Sequence, residues 1–232
     1  MRINKKENIC IIPARGGSKR IPRKNLKSFF GKPIIYYVIK NIKDTNFFDK
    51  IVVSTDDLKI AQFSKKNGAY IHVRQKKLAK DNVPLIDVIA KVIKDLEKKN
   101  LYYKKICCLF PTSIFLKKSQ LKLGFKKLKP KLNYVFTAKK YDHPIERSFK
   151  KKRNTLVMTK LKTEKKNTQF FTPSYHDAAQ FYLGWKRSWI SKKKIFQGKS
   201  DFIEIPKLNS QDIDTYDDWQ ISEILWKLGK RK

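Results

Sequence analysis

Four groups of residues in this chain have types and spacings suited to chemistry. The densest is Ile11-Ile12-Pro13-Ala14-Arg15-Gly16-Gly17-Ser18-Lys19-Arg20-Ile21-Pro22-Arg23-Lys24-Asn25. An apolar run ends in Pro13-Ala14, and small residues follow where backbone can approach a ligand closely. Consecutive exposed N–H groups at Gly16–Ser18 are expected to form an anion-binding concavity, with Arg15, Lys19, Arg20, Arg23 and Lys24 adding formal charge. That chemistry is triphosphate binding. The spacing is neither GxGxxG nor GxxxxGK[ST], which disfavours a dinucleotide fold and a P-loop NTPase.

The second group is Asp212-Ile213-Asp214. Carboxylates two apart on extended backbone project to one side and offer oxygen ligands to a hard divalent cation. The competing reading has Asp214 merely capping the last helix. The third is Tyr175-His176-Asp177-Ala178-Ala179-Gln180-Phe181-Tyr182-Leu183-Gly184. Here His176, Asp177 and Gln180 carry donors and acceptors suited to a polyhydroxylated ligand. The fourth, Val53-Ser54-Thr55-Asp56-Asp57, reads equally well as a strand end with a helix N-cap.

The elements that must position these groups follow from hydrophobic periodicity. Short apolar runs alternate with amphipathic segments, the pattern of a mostly parallel sheet covered on both faces. Strands are expected over residues 8–14, 50–54, 69–73, 105–110, 134–138, 180–183 and 201–205. Pro33 opens a helix bearing Ile34, Ile35, Val38, Ile39 and Ile42. Helices follow over 58–67, after Pro84, and over 118–129. The last helix starts with a capping box, Thr215 with Asp218, and is expected to carry Ile221, Ile224, Leu225 and Leu228 toward the core. Lys-rich residues 139–176 break this rhythm, as an inserted functional segment or oligomer arm does.

At 232 residues the chain suits one domain, 1–232, and 41% hydrophobic residues supply its core. A net charge of +35 invites a nucleic-acid reading, yet 46 of the basic residues are Lys and only 9 are Arg. Direct base and phosphate readers rely on the Arg fork. Dispersed Lys implies solvated faces with salt-sensitive adhesion to polyanions, and no specific nucleic-acid partner. Cys10, Cys107 and Cys108 lie in apolar runs and read as reduced core residues. No apolar stretch suits membrane insertion and no signal segment is evident, so a cytoplasmic protein is expected.

The string I-I-P-A-R-G-G-S-K-x-I-P-x-K-N, followed by Gly31-Lys32-Pro33, resembles the sugar-acid (nonulosonate) cytidylyltransferases from about Ile9 to Trp226. Val53–Asp57 is similar to that family's second-strand motif, Leu78-Ala79-Lys80-Asp81 to a loop near its base, and Arg74 stands where a base-contacting Arg is expected. The resemblance implies an α/β, Rossmann-like three-layer α/β/α nucleotidyltransferase fold. It implies CTP and a nine-carbon 2-keto sugar acid as substrates, with Mg²⁺ (Mn²⁺ as substitute) on Asp212 and Asp214. It also implies a homodimer in which the 139–176 arm reaches the neighbouring site. Ala14, Arg15, Gly16, Gly17, Ser18, Lys24, Asn25, Arg74 and Asp81 would bind the nucleotide, and Arg15, Lys24 and Asp214 would be catalytic. The Y-H-D-A-x-Q-F-Y-x-G form is similar to the branch acting on pseudaminic acid. Phe110 departs from the Gln of the sialic acid members' L-Q-P-T-S. Expected sugar contacts are therefore Phe110, Thr112, His176, Asp177, Gln180 and Tyr182, with Arg147 a candidate for the sugar carboxylate. Legionaminic, N-acetylneuraminic and ketodeoxyoctonic acids are alternative acceptors. A non-catalytic polyanion-binding protein is the alternative of another class; the Asp212/Asp214 pair argues against it.

Overall fold

The computed structural model describes residues 3–160 and 165–230. The first Ile-rich run forms β1 (Asn8–Pro13). After the loop 14–27 comes a small hairpin, β2 (Ser28–Phe29) with β3 (Lys32–Pro33). Its two-residue turn, Phe30–Gly31, has φ of 45° and 83°, the positive pair that matches strand twist. Pro33 then precedes α1 (Ile34–Thr45). The alternation continues through β4 (Lys50–Thr55), α2 (Leu58–Lys66), β5 (Tyr70–Val73), α3 (Leu85–Glu97), β6 (Lys105–Leu109) and α4 (Lys118–Lys127). Next are β7 (Tyr134–Lys140), a hairpin of β8 (Phe149–Lys152) with β9 (Thr155–Met158), and β10 (Tyr175–Trp185). The chain ends with α5 (Lys186–Ile190), β11 (Ser200–Glu204) and α6 (Tyr216–Lys230).

Seven strands form one sheet in the order β11-β7-β10-β6-β1-β4-β5. β1 is parallel to both β4 and β6, while β10 runs antiparallel to β6 and β7. Two apolar layers cover the faces. One joins α1, α4 and α6 to the sheet through Ile35, Val38, Leu121, Phe125 and Trp219. The other seats α3 and α5 through Ile89, Val92, Ile93, Leu96 and Trp189. Burying each such side chain contributes about 1.5–3 kcal/mol relative to exposure. The three-layer α/β/α expectation holds. The cysteines are buried thiols, and adjacent Cys107 and Cys108 point into opposite layers.

Three features differ from the sequence expectation. β10 starts five residues earlier than its apolar run suggested, because a bulge between Asp177 and Tyr182, with Ala179 at φ 48°, interrupts the alternation. α6 turns Ile221, Ile224 and Leu228 outward, each about half exposed, rather than toward the core. Its phase is set instead by Trp219 and Trp226, whose rings lie 5.5 and 5.6 Å from Phe29. Aromatic contacts carry more apolar area than aliphatic ones and win the inward position. Residues 139–176 are also not one irregular insertion. They extend β7, form the exposed β8–β9 hairpin and begin β10; residues 161–164 lie outside the described residues. No helix of the described residues is long and apolar enough to cross a membrane.

Candidate active site

A cleft of about 380 Å³ opens beyond the carboxyl ends of β1, β5 and β6. Strand order reverses beside β1, between β6 and β4, and ligands of open α/β sheets bind at such a switch point. Loop 14–25 forms one wall. A Cβ on Gly16 would come within 2.9 Å of Asp57, so only glycine fits there without displacing the α2 cap, in which Asp57 accepts from Ile60 N at 2.9 Å. Asp56 Oδ1 accepts from Gly16 N at 3.0 Å, and Ser18 N donates to the Gly16 carbonyl at 3.0 Å. Two of the three amides expected to face a ligand thus have acceptors within the protein, because the β4 motif reaches across to the loop. Ala14, Gly16 and Gly17 shape the loop; Arg15, Ser18, Lys19, Arg20, Lys24 and Asn25 line the cleft.

Asn25 is buried and donates to the Arg15 carbonyl at 3.0 Å. Its Oδ1 has no partner among the described residues, an open acceptor beside the cleft. Arg74 and Lys80 complete six cationic side chains facing three carboxylates, those of Asp81, Asp212 and Asp214. Leu78, from the Leu78–Asp81 segment already singled out, forms an apolar wall with Val83, Leu85 and Val88, which carried no distinctive sequence signal. The carboxylates hold the cations in place. Asp81 accepts from Arg15 and from Lys19, and those hydrogen bonds keep its carboxyl below the usual range. Asp214 pairs with Arg20 at 2.7 Å and with Lys24 at 3.1 Å, and Lys24 also donates to the Ile213 carbonyl.

The 212–214 segment alternates as its spacing required. Ile213 is fully buried, while Asp212 and Asp214 line the cleft. Burial, then the charge of Asp214, raises the Asp212 carboxyl. The cap of α6 belongs to Thr215 and Asp218: Asp218 Oδ2 accepts from Thr215 N at 2.8 Å and from Asp214 N at 3.0 Å. The Asp214 side chain is therefore not the cap. Among the described residues no group of three His, Cys, Asp or Glu side chains forms a metal cage. Two adjacent carboxylates, one of them destabilised by the other's charge, instead suit a cation that takes its remaining oxygens from water and a phosphate ligand.

The residues expected to touch a sugar divide. Phe110 and Thr112 line the cleft, together with Pro111 and Ala179, which were not among those expected. Asp177, Gln180 and Tyr182 stand outside its lining. Asp177 accepts from Tyr182 OH and, at 3.0 Å, from Ala179 N, holding the bulge of β10. Burial raises both ionisable groups of this pair. Gln180 donates to the Asn209 carbonyl at 2.8 Å, and Tyr182 stacks edge-on against Phe110 at 5.3 Å. His176 lines a separate hollow with Lys139, Tyr141 and His143, its ring 4.8 Å from Tyr141. Arg147 donates to the Lys166 carbonyl at 2.8 Å and does not line the cleft. Ala179, the β10 residue that lines the cleft, lies within the bulge.

A basic cleft with a carboxylate pair can bind a polyphosphate, neutralise it and carry a divalent cation against it. A family model described as Cytidylyltransferase matches residues 9–223. The chain is 39% identical to the pseudaminic acid cytidylyltransferase of Campylobacter jejuni, covering 96% of this chain and 97% of that protein. It is 27% identical to the CMP-N,N'-diacetyllegionaminic acid synthase of Legionella pneumophila over 96% and 97% of the two chains. The fold matches a CMP:2-keto-3-deoxy-manno-octonic acid synthetase solved with CTP, at a TM-score of 0.72 and 14% identity, over 96% of this chain and 99% of that one.

Proposed function

Because the chain belongs to the cytidylyltransferase family, we propose that it joins CMP from CTP to the anomeric hydroxyl of pseudaminic acid and releases pyrophosphate. The observation that carries this reading is the meeting, in one cleft, of loop 14–25 with the Asp212/Asp214 pair. The acceptor is taken from the pseudaminic acid enzyme, which is 39% identical where the legionaminic acid enzyme, covered to the same extent, is 27% identical. The sugar oxygen attacks the α-phosphorus in line. The bond from that phosphorus to the α,β-bridging oxygen breaks, and pyrophosphate leaves with the electron pair. Such chemistry is mostly positioning and charge neutralisation.

In this reading Arg15, Lys19 and Arg20 exchange their carboxylate partners for phosphates. Lys24 faces the charge that grows on the leaving group. Asn25 Oδ1 and Arg74 meet the nucleoside, and the apolar wall around Val83 and Leu85 holds the base. Phe110 and Thr112 border the sugar, and the Asp177–Tyr182 pair shapes that border from behind. Mg²⁺, or Mn²⁺, held by Asp212 and Asp214 would neutralise phosphate oxygens and make the attacking hydroxyl more acidic. Asp214 and a metal-bound hydroxide are the candidates to take the hydroxyl proton. The reaction is placed in the cytoplasm, where CTP is available.

The acceptor is tested by pyrophosphate release with CTP against pseudaminic, legionaminic and N-acetylneuraminic acids. Pseudaminic acid should give a kcat/KM higher by about 10²-fold or more, the scale of discrimination by a fitted pocket. Equal rates across the panel would remove the acceptor assignment and leave the reaction class standing.

The proposal includes a homodimer joined through the β8–β9 arm. Exposed Phe149 and Leu156, which the register puts on one face of that hairpin, support it, as do exposed Ile221 and Ile224 on α6, since contiguous exposed apolar surface marks interfaces. Sedimentation should give a dimer that Leu156→Lys with Ile224→Lys converts to monomer. A monomeric parent protein would end this part of the proposal.

A further inference from the structure

A buried polar chain runs from α3 through the sheet to the cleft. His72 sits on β5 opposite Ser54 of β4, in register. Its Nδ1 lies 3.0 Å from Ser54 Oγ and its Nε2 lies 3.0 Å from Asp95 Oδ2 on α3. Arg74 then grips Ser54 twice, through Nε to Oγ at 3.3 Å and Nη2 to the carbonyl at 2.7 Å. The same Ser54 carbonyl accepts from Ala14 N at 2.9 Å, where the phosphate loop begins.

For the neutral imidazole, donors and acceptors allow one arrangement of protons. An ionised carboxylate only accepts, so His72 carries its proton on Nε2 toward Asp95. Nδ1 then carries a free lone pair and accepts a hydrogen bond from the Ser54 hydroxyl, which leaves the Ser54 lone pairs for Arg74 Nε–H. Burial pushes the Asp95 carboxyl up, but hydrogen bonds from Lys91 and His72 more than offset this and hold it below its ordinary value. The types Ser, His and Asp match a nucleophilic triad, yet Ser54 is fully buried and His72 is 9% exposed, so no substrate reaches the hydroxyl. The end of the chain that reaches the cleft is Arg74, itself only 6% exposed. Hydrogen bonds in so dry a setting fix direction strongly.

We propose that His72 is a positioning residue for nucleotide binding: with Asp95 it aims the Ser54 hydroxyl, which sets the Arg74 guanidinium against the nucleotide. This rests on the reading of Arg74 as a nucleotide contact. His72 drew no attention in the sequence, because nothing local joins it to Ser54 or Asp95.

The test is calorimetric CTP binding to the full chain, with KM measured separately for CTP and the sugar acid. Losing one orienting hydrogen bond predicts about tenfold weaker CTP binding in His72→Phe, with the sugar acid KM unmoved. His72→Asn, whose Oδ1 can accept the Ser54 hydroxyl, should restore most of it. In an Arg74→Ala background His72→Phe should cause no further loss, since the relay then has nothing to aim. Asp95→Ala, at a partly exposed α3 position, gives about a threefold loss in the same direction and covers the case in which His72→Phe fails to fold. Equal losses in both backgrounds, or equal KM shifts for both substrates, would overturn the relay in favour of a purely structural network. If Arg74→Ala leaves CTP affinity unchanged, the nucleotide reading of Arg74 falls instead. If Arg74→Ala weakens binding and His72→Phe does not, the relay alone falls.

Discussion

Asp214→Ala should lower CTP-dependent pyrophosphate release by at least about 10³-fold while the protein stays folded and still binds CTP, the loss expected when several kcal/mol of cation-derived charge stabilisation is removed. Folding should survive because the carboxylate holds no helix. Asp218 and Thr215 make the reciprocal cap of α6, and Asp218 also anchors the Asp214 backbone N–H. Binding should survive because the substitution removes a negative charge next to Arg20 and Lys24, which leaves the cleft more attractive to a triphosphate. The two effects together separate a role in the chemical step from one in binding. An unchanged melting temperature with retained CTP affinity and lost turnover is the expected set. Normal CMP-sugar formation would sink the metal assignment. Loss of CTP binding would instead recast Asp214 as an organiser of its neighbouring cations.

Lys24→Ala should cost at least about 10² in kcat, the scale for removing one charge-stabilising donor in a preorganised site. Lys24 follows Arg23, whose φ of 53° turns the chain sharply, and its side chain is 18% exposed between the loop and the Asp212–Asp214 segment. Its ammonium bonds the Ile213 carbonyl and, at 3.1 Å, Asp214. That places a cation where the loop and the carboxylate pair meet, beside the Arg20–Asp214 pair that also joins them. Lys24→Arg keeps the charge but not the compact point geometry, and should recover part of the rate. A full rate in Lys24→Ala would make this side chain a strut between two segments. A raised KM for CTP with kcat unchanged would assign it to ground-state binding.

The sequence and the structure divide along a physical line. Periodicity of 2 and 3.6 is a local property, and the principal strands other than β10 and the five longer helices follow it closely. The alternation of Asp212, Ile213 and Asp214 is equally local, and the extended backbone sends Ile213 inward and both carboxylates to the cleft. The small residues of loop 14–25 also kept their meaning, since the Gly16 contact with Asp57 admits no side chain. Other features have no local signature. β10 is antiparallel, and its alternation is broken at Ala179 by a carboxylate two residues away, while Asp177, Gln180 and Tyr182 stand outside the cleft lining. The apolar stripe of α6 had the right period and the wrong phase, because Trp219 and Trp226 found Phe29, about 190 residues earlier in the chain.

What the sequence determined by itself is the set of chemical parts: a cationic loop, a carboxylate pair and the strands that end beside them. Tertiary structure alone decided which parts meet. Lys24 reaches Ile213 across 189 residues, and His72 reaches Asp95 and Ser54 from a neighbouring strand. A residue's type and its neighbours set which way it faces on its own element. Its partner depends on strand order and register, which follow from packing the whole sheet between its helices.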